Sequence, residues 1–278
     1  NSKIETSTES FQEIGLDAKI NKKSDKRRLV IFVIGETARR DHMSINGYEL
    51  KTNPYLEKEK IISFTNMTSC GTDTAWSVPC MFSLLDRSNY SHKKGKNMSN
   101  VLDLISHAGA NVIWLENNSS SKSVADRIIF KDYRTSKLNP KCNPECRDEG
   151  MLINLQDYID EQNKKDTLIV LHTMGSHGPA YYKRYPEEFE VFKPVCKTNQ
   201  LNECTNKEIN NAYDNTILYT DYFLSKVIEL LKRNSKESDT AMYYVSDHGE
   251  SLGEGGLYLH GMPYFMAPDE QIEVPAFM

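Results

Sequence analysis

Four uninterrupted apolar runs, rich in β-branched and aromatic residues, constrain the fold of this 278-residue chain more than any other feature. They are LVIFVIG at 29–35, NVIWL at 111–115, TLIVLH at 167–172 and AMYYVS at 241–246. A run without polar alternation is typical of a strand that is buried on both faces, as in a parallel sheet. The sequence therefore predicts a mostly parallel central sheet.

Helical patterns separate these runs. Apolar residues recur at three- and four-residue spacing over 151–163 and 209–234, and residues 101–110 read as a helix that ends at Gly109. The segment 81–86 also reads as helical. Strands that alternate with helices predict βαβ units with right-handed crossovers. We therefore expect an α/β fold with helices on both faces of the sheet and ligands bound at the carboxyl ends of its strands.

Composition limits the classes of partner. The chain has 34 basic and 39 acidic residues, a net charge of −5, which argues against a nucleic-acid partner. It contains no run of about 18 apolar residues, so it predicts no transmembrane helix of its own. Residues 1–28 are polar and charged, and we interpret them as a linker to a catalytic domain over 29–278. The final run, QIEVPAFM, reads as a strand at a boundary, and we expect further sequence after it.

The six cysteines fall into three close pairs. An even, clustered set favours disulfides between neighbours and an oxidising compartment. Free thiols or a metal cluster are the alternatives, but no pair has the two-residue spacing of a zinc knuckle. The cysteines are Cys70, Cys80, Cys142, Cys146, Cys196 and Cys204.

Candidate metal ligands follow two of the predicted strands. Glu36 comes directly after the first apolar run, and Asp247 and His248 come directly after the fourth. Carboxylates and imidazoles are ligands that zinc accepts, and the carboxyl ends of parallel strands meet at one edge of a sheet. Taken singly, Asp247 could be a helix N-cap and Glu36 a charge at the start of a helix. Together they predict a metal site.

Thr74 is the candidate nucleophile. It lies between Cys70 and Cys80, and a disulfide between them would clamp its turn on both sides. Thr72, Asp73 and Thr74 are all suitable caps for a following helix, whose N-terminus would favour a phosphoryl group. A plain capping segment is the alternative. A threonine hydroxyl is a weak nucleophile until a metal or base lowers its pKa, so this hypothesis requires the metal ligands nearby.

The histidines divide by context. His177 in GSHGP and His260 in YLHGMP lie in loops rich in Gly and Pro, where a core-filling role is less common. We expect both in the site, as ligands of a second metal or as phosphate donors. His42 and His92 read as surface residues, and His172 as a structural residue at a strand end.

Three motifs, in this order, resemble the periplasmic catalytic domain of the lipid A phosphoethanolamine transferases: SCGTDTAWSVPCMFS, LHTMGSHGPAYY and SDHGESLGEGGLYLHG. That group includes the mobile colistin-resistance enzymes, which confer polymyxin resistance. The resemblance covers about residues 29–278 and implies an alkaline phosphatase/sulfatase-like fold. It also implies a Gram-negative periplasmic location and an N-terminal domain in the inner membrane, which this sequence does not contain.

The resemblance implies particular residue roles. Thr74 matches the nucleophile that becomes a phosphothreonine, and His177 and His260 match histidines that hold a second zinc or contact the phosphoryl group. The zinc ligands that it implies are Glu36, Thr74, Asp247 and His248. The substrate contacts that it implies are Thr72, Asp73, Asn118 and Lys122. The family's local disulfides agree with the pairs 70–80, 142–146 and 196–204.

The implied reaction is transfer of phosphoethanolamine from phosphatidylethanolamine to lipid A or another cell-envelope acceptor. It uses one tightly bound Zn²⁺, with a place for a second. A phosphoglycerol transferase or phosphodiesterase of the same superfamily is the alternative. A sulfatase would need Cys or Ser in a C/S-x-P-x-R motif, whereas Ala75 and Trp76 follow Thr74. A non-catalytic zinc-stabilised domain is a further alternative from another class.

Overall fold

The computed structural model describes residues 10–22, 24–162 and 165–278. One six-stranded sheet is made of β1 (Arg27–Gly35), β2 (Asn111–Glu116), β3 (Ile129–Asp132), β4 (Thr167–His172), β5 (Ser238–Ser246) and β8 (Ala276–Phe277). The strand order is β3-β2-β4-β1-β5-β8, and only the β5–β8 pair is antiparallel. A separate antiparallel pair is formed by β6 (Ser251–Leu252) and β7 (Tyr258–Leu259). The predicted mostly parallel sheet is confirmed.

Helices lie on both faces of this sheet. They are α1 (Thr74–Met81), α2 (His92–Lys96), α3 (Val101–His107), α4 (Leu155–Asp160), α5 (Asn206–Asn234) and α6 (Asp269–Ile272). Ile31 of β1 belongs to a core that includes Phe223 of α5, whereas Ile34 belongs to a second core with Leu102 of α3. Successive strand side chains point to opposite faces, so one apolar run supplies both cores.

Three of the differences between the predicted and the observed elements have a local structural cause. β3 was not predicted, because its run is short and Ile129 and Phe130 are largely exposed at the sheet edge. The predicted helix at 151–163 is reduced to α4, because Asn154 has a left-handed φ of 61° and separates it from a 3-10 turn at Asp148–Leu152. The predicted helix at 81–86 is wrong. α1 begins earlier, at Thr74, and Phe82 is already its C-cap.

Three disulfides tie down loops around the sheet, as neighbour pairing predicted. They join Cys70 to Cys80, Cys142 to Cys146 and Cys196 to Cys204. The prediction that His42 lies on the surface is wrong. Its side chain is buried, with Nδ1 2.6 Å from Oδ1 of Asp214, because α5 brings that carboxylate beneath it.

The segment before β1 lies partly outside the described residues, which lack 1–9 and 23. Gln12 exchanges backbone hydrogen bonds with residues 97 and 99, and Arg27 donates to the carbonyl oxygen of Ile159 at 2.9 Å. The assignment of residues 1–28 as a linker stays a prediction. None of the helices within the described ranges is long and apolar enough to cross a membrane.

Candidate metal centre

The ends of β1 and β5 carry the centre. Gly35 and Ser246 are partners in the parallel register, so the residues that follow them, Glu36 and Asp247, leave the sheet side by side. The Ser77 hydroxyl donates to the Asp247 carbonyl oxygen at 2.5 Å, which ties α1 to the end of β5. Thr74 is the first residue of α1 and therefore lies over the same edge. Four residues from three chain segments meet there.

Their functional atoms are close together. The Thr74 hydroxyl oxygen is 3.0 Å from Oε2 of Glu36 and 3.3 Å from Nε2 of His248. The same imidazole nitrogen is 3.5 Å from a carboxylate oxygen of Glu36 and 3.5 Å from one of Asp247. One ligand atom from each of Glu36, Asp247 and His248 lies within 4.8 Å of the others, and all three side chains are fully buried.

The surrounding bonds orient these groups inward. Nδ1 of His248 lies 2.8 Å from the Gly249 carbonyl oxygen, so Nδ1 is the donor and Nε2 faces the two acids. The Thr37 hydroxyl donates to Oε1 of Glu36 at 2.6 Å, and the Asn118 amide donates to Oε2 at 2.6 Å. Such outer bonds fix ligand orientation in metal sites. A Cβ at Gly249 would meet a backbone oxygen at 2.0 Å, so this position requires glycine.

The donor set fits a divalent cation. Oδ1 of Asp247 accepts from two backbone N–H groups, of Thr37 and His248, at 3.2 and 2.8 Å. Its other oxygen, Oδ2, is buried and has no hydrogen-bond donor among the described residues. A buried carboxylate oxygen without a donor is costly unless a cation meets it. Two carboxylates and one imidazole are ligands that zinc accepts, and a catalytic zinc keeps its fourth position for a further oxygen ligand.

The pKa shifts of the three buried residues also fit a cation site. Burial raises the pKa of Glu36, but the hydrogen bond and positive charge of His248 outweigh it and hold that pKa well below its usual range. Burial and the charge of Glu36 raise the pKa of Asp247 to about 6. Burial opposes protonation of His248, yet the charges of Asp247 and Glu36 raise its pKa to about 10. Two buried acids therefore hold a positive charge between them.

His260 and His177 extend the centre outward. The ring centroid of His260 lies 4.2 Å from that of His248 and 6.4 Å from that of His177. Nδ1 of His260 is 3.2 Å from Oε1 of Glu250. Nδ1 of His177 is buried without a hydrogen-bond partner in the part of the chain that the structure describes. The two histidines therefore stand beside the cluster, as expected from their loops, and their ligand roles stay predictions.

The predicted substrate contacts do not form one group. Thr72 donates to the Met262 carbonyl oxygen at 2.6 Å, and Asp73 is the N-cap of α1, accepting from the Trp76 N–H. Both line a cavity of about 320 Å³ beside Thr74. The Asn118 amide is buried against Glu36 and the Thr173 carbonyl oxygen.

Lys122, the fourth predicted contact, lines a different cavity of about 120 Å³ with Asn100 and Arg127. The structure therefore groups Thr72 and Asp73, gives Asn118 a positioning contact, and sets Lys122 apart.

Comparison with known proteins identifies the fold family. Residues 28–278 match the sulfatase family model. The chain belongs to the sulfatase family. It is 52% identical over 260 residues to phosphatidylethanolamine transferase Mcr-1 of Escherichia coli, a match that covers 91% of this chain and 48% of that protein. It is 46% identical over 269 residues to phosphoethanolamine transferase EptA of Escherichia coli K12, covering 95% and 49%. The chain thus spans about half the length of these curated relatives.

Solved structures agree with this assignment. The soluble domain of lipooligosaccharide phosphoethanolamine transferase A from Neisseria meningitidis matches with a TM-score of 0.92 and 41% identity, covering 96% of this chain and 81% of that one. The match to the Escherichia coli EptC periplasmic domain in complex with Zn has a TM-score of 0.72 at 21% identity, covering 93% and 74%, and concerns the fold alone. The predicted resemblance to phosphoethanolamine transferase catalytic domains and the alkaline phosphatase/sulfatase-like fold are confirmed.

Sequence reasoning missed one acidic residue in this sulfatase-family site. Glu250 is fully buried, and its Oε2 has no hydrogen-bond partner among the described residues. Burial raises its pKa, and the His260 hydrogen bond opposes that rise. Glu250 lies two residues after His248, so its place in the motif DHGES was the available signal. Glu250 contacts a histidine of the site only because the β6–β7 turn brings His260 back to its carboxylate.

Proposed function

We propose that this chain is the catalytic domain of a zinc-dependent phosphoethanolamine transferase, with Thr74 as the nucleophile. The proposal rests on the position of the Thr74 hydroxyl, which lies beside a buried group of ligand atoms that could hold a cation. The names of the relatives at 52% and 46% identity support the transferred group. Phosphatidylethanolamine is the proposed donor, and lipid A or another envelope glycolipid the proposed acceptor.

Glu36, Asp247, His248 and Thr74 would hold the zinc ion. A bound Zn²⁺ supplies positive charge that favours the ionised Thr74 hydroxyl and offsets the negative charge of the phosphoryl group. The Thr74 proton points to Glu36 Oε2, 3.0 Å away, so this carboxylate is the first acceptor for it. Asn118 holds that oxygen in place with its 2.6 Å hydrogen bond.

The reaction proceeds in two displacements. The Thr74 oxygen forms a bond to the donor phosphorus while the bond from phosphorus to the diacylglycerol oxygen breaks, and that oxygen takes up a proton. An acceptor oxygen then attacks the phosphothreonine, gives up its proton, and releases the Thr74 oxygen. His177 and His260 stand where they can donate hydrogen bonds to the phosphoryl oxygens, which gain charge in both steps. Ping-pong kinetics follow from this order.

The proposed location is the periplasmic side of an inner membrane. Three disulfides fit an oxidising compartment. A Neisseria meningitidis relative described as an integral membrane protein matches with a TM-score of 0.92 and 41% identity, covering 96% of this chain and 50% of that one. A membrane domain on the same polypeptide is therefore the proposed partner that presents the lipid donor.

Peptide mass mapping tests the nucleophile and the donor together. We expect the zinc-loaded chain, incubated with phosphatidylethanolamine in detergent, to gain one phosphoethanolamine mass on the peptide that contains Thr74. The Thr74→Ala variant controls for modification of the neighbouring Thr72. A glycerophosphate increment from phosphatidylglycerol would instead support a phosphoglycerol transferase. An unmodified Thr74 in folded, zinc-loaded protein with both donors would overturn the proposal.

A further inference from the structure

The loop that carries His260 ends in an exposed apolar tip, formed by Phe265 and Met266. Phe265 is 87% exposed and Met266 59% exposed, and Phe265 is the most exposed large apolar side chain in the described ranges. An aromatic ring that is exposed to water lacks the large favourable free energy that its burial would give. Two adjacent exposed apolar side chains at the end of one loop form a small contiguous patch, which is a candidate interaction surface.

The base of the tip is fixed. The Tyr264 hydroxyl donates to the Ser69 carbonyl oxygen at 3.0 Å, and the Arg87 guanidinium lies 3.7 Å from the centroid of the Tyr264 ring. The backbone N–H of Met266 donates to the Pro263 carbonyl oxygen at 2.8 Å. These contacts hold the base of the loop in place, so Phe265 and Met266 protrude from a fixed support.

The second feature is a cluster of exposed lysines on α2. α2 has the sequence HKKGK, and Lys93, Lys94 and Lys96 are all exposed. The ring of His92 lies 4.7 Å from that of Trp76, which belongs to α1, the helix that begins at Thr74. α2 therefore packs directly beside the nucleophile helix.

Trp76 connects the two features. It lines the cavity of about 320 Å³ together with Asp73, Met262 and Tyr264. The His92 ring of α2 packs against Trp76, and the apolar tip directly follows Tyr264. The tip and α2 are therefore both neighbours of this cavity, whose lining residue Asp73 precedes Thr74.

We propose that the tip and the α2 lysines form a docking surface for a phospholipid bilayer with anionic lipids. Phe265 and Met266 enter the boundary between headgroups and acyl chains, and the lysines contact the lipid phosphates. Exposed apolar side chains flanked by lysines are the combination that binds at this interface, and neither signal alone holds a protein there. This inference rests on the proposed function, because docking would bring the mouth of the site to lipid phosphates.

The size of the tip favours a bilayer over a protein partner. A stable protein interface buries about 800 Å² on each side, far more than two side chains provide. Two side chains that protrude from a fixed base suit insertion among lipid headgroups. The positive charge of α2 complements an anionic leaflet, although the chain as a whole carries a charge of −5.

Vesicle cosedimentation tests the docking surface. We expect the zinc-loaded chain to bind vesicles of phosphatidylethanolamine and phosphatidylglycerol, and to bind vesicles of phosphatidylcholine alone more weakly. Phe265→Ser with Met266→Ser should weaken binding by about tenfold or more. Lys94→Gln with Lys96→Gln should weaken it by about 25-fold, at about fivefold for each charge. Added salt should weaken binding by the wild type more than binding by the lysine variant, which keeps Lys93.

Matched variants elsewhere on the surface control for general changes. Leu16 and Val191 are 64% and 59% exposed, so Leu16→Ser with Val191→Ser matches the tip variant. Lys22→Gln with Lys236→Gln matches the lysine variant, because both lysines are exposed and precede β1 and β5 at the amino-terminal edge of the sheet. Equal binding by test and control variants would overturn the proposal. The wild-type chain could instead fail to bind vesicles and form concentration-dependent dimers that the tip variant abolishes. That result would assign the tip to contact with a second copy of the chain.

The two proposals fail in different ways. Vesicle binding without modification of Thr74 would leave docking in place and refute the transferase. Modification of Thr74 by detergent-dispersed donor, without vesicle binding by the wild-type chain, would refute docking alone.

Discussion

The Thr74 hydroxyl oxygen lies 3.0 Å from Oε2 of Glu36, although the two residues are 38 positions apart in the chain. The first residue of α1 thereby meets the end of β1. The cause is the parallel register of β1 and β5, together with the tie between Ser77 and Asp247 that holds α1 over their ends. The candidate nucleophile thus belongs to the metal centre itself.

Thr74→Ala should abolish covalent modification and leave the fold intact. The side chain is only partly buried, so the free energy of unfolding should change by no more than about 1 kcal/mol. Thermal unfolding and mass mapping measure the two quantities. Thr74→Ser keeps the hydroxyl and should retain transfer. Equal transfer by the alanine variant and the wild type would contradict the covalent route.

Zinc affinity should fall as the pH falls. The pKa of His248 is raised to about 10 in the metal-free protein, so below that pH one proton must leave Nε2 for each ion bound. The dissociation constant should therefore rise about tenfold for each unit of pH lost. Below the pKa of Asp247, about 6, a second proton competes and the slope should steepen. Competition with a chelating indicator measures this, and a constant affinity between the two pKa values would contradict it.

Asn118→Ala should weaken zinc binding by about 10- to 100-fold, because it removes the amide that orients Glu36. Asn139→Ala is the matched control. Asn139 is also buried, and its amide also donates to two partners, the carbonyl oxygens of Tyr133 and Arg147. The control should lose stability without a specific loss of metal affinity. Isothermal titration of the two variants decides between a positioning role for Asn118 and a purely structural one.

Replacing both Cys70 and Cys80 by Ser should lower the free energy of unfolding by about 3 kcal/mol, because their disulfide closes a loop with a separation of 10 residues. The same change at Cys142 and Cys146, with a separation of 4, should cost about 2 kcal/mol. Only the first pair flanks Thr74, so only its loss should slow modification of that residue. Chemical denaturation and mass mapping measure the two effects, and equal slowing in both variants would count against a clamp.

The sequence by itself determined which residues form the central strands and which side chains stand at their ends. Apolar runs without alternation can be buried only between two layers, so β1, β2, β4 and β5 were predictable. Glu36 and Asp247 follow from this, because the carboxyl ends of parallel strands share one edge. The short, half-exposed β3 carries no such pattern, and the left-handed turn at Asn154 divides a helix that its spacing alone predicts as continuous.

Only the tertiary structure decided the contacts between distant segments. The order of the strands brings Asn118 to Glu36, and the β6–β7 turn brings His260 to Glu250. His42, predicted from the sequence to lie on the surface, is buried because Asp214 of α5 meets it. The exposure of Phe265 likewise depends on how its loop is anchored at Tyr264. Local patterns report which face of an element is apolar, whereas these pairings depend on where the whole fold places each face.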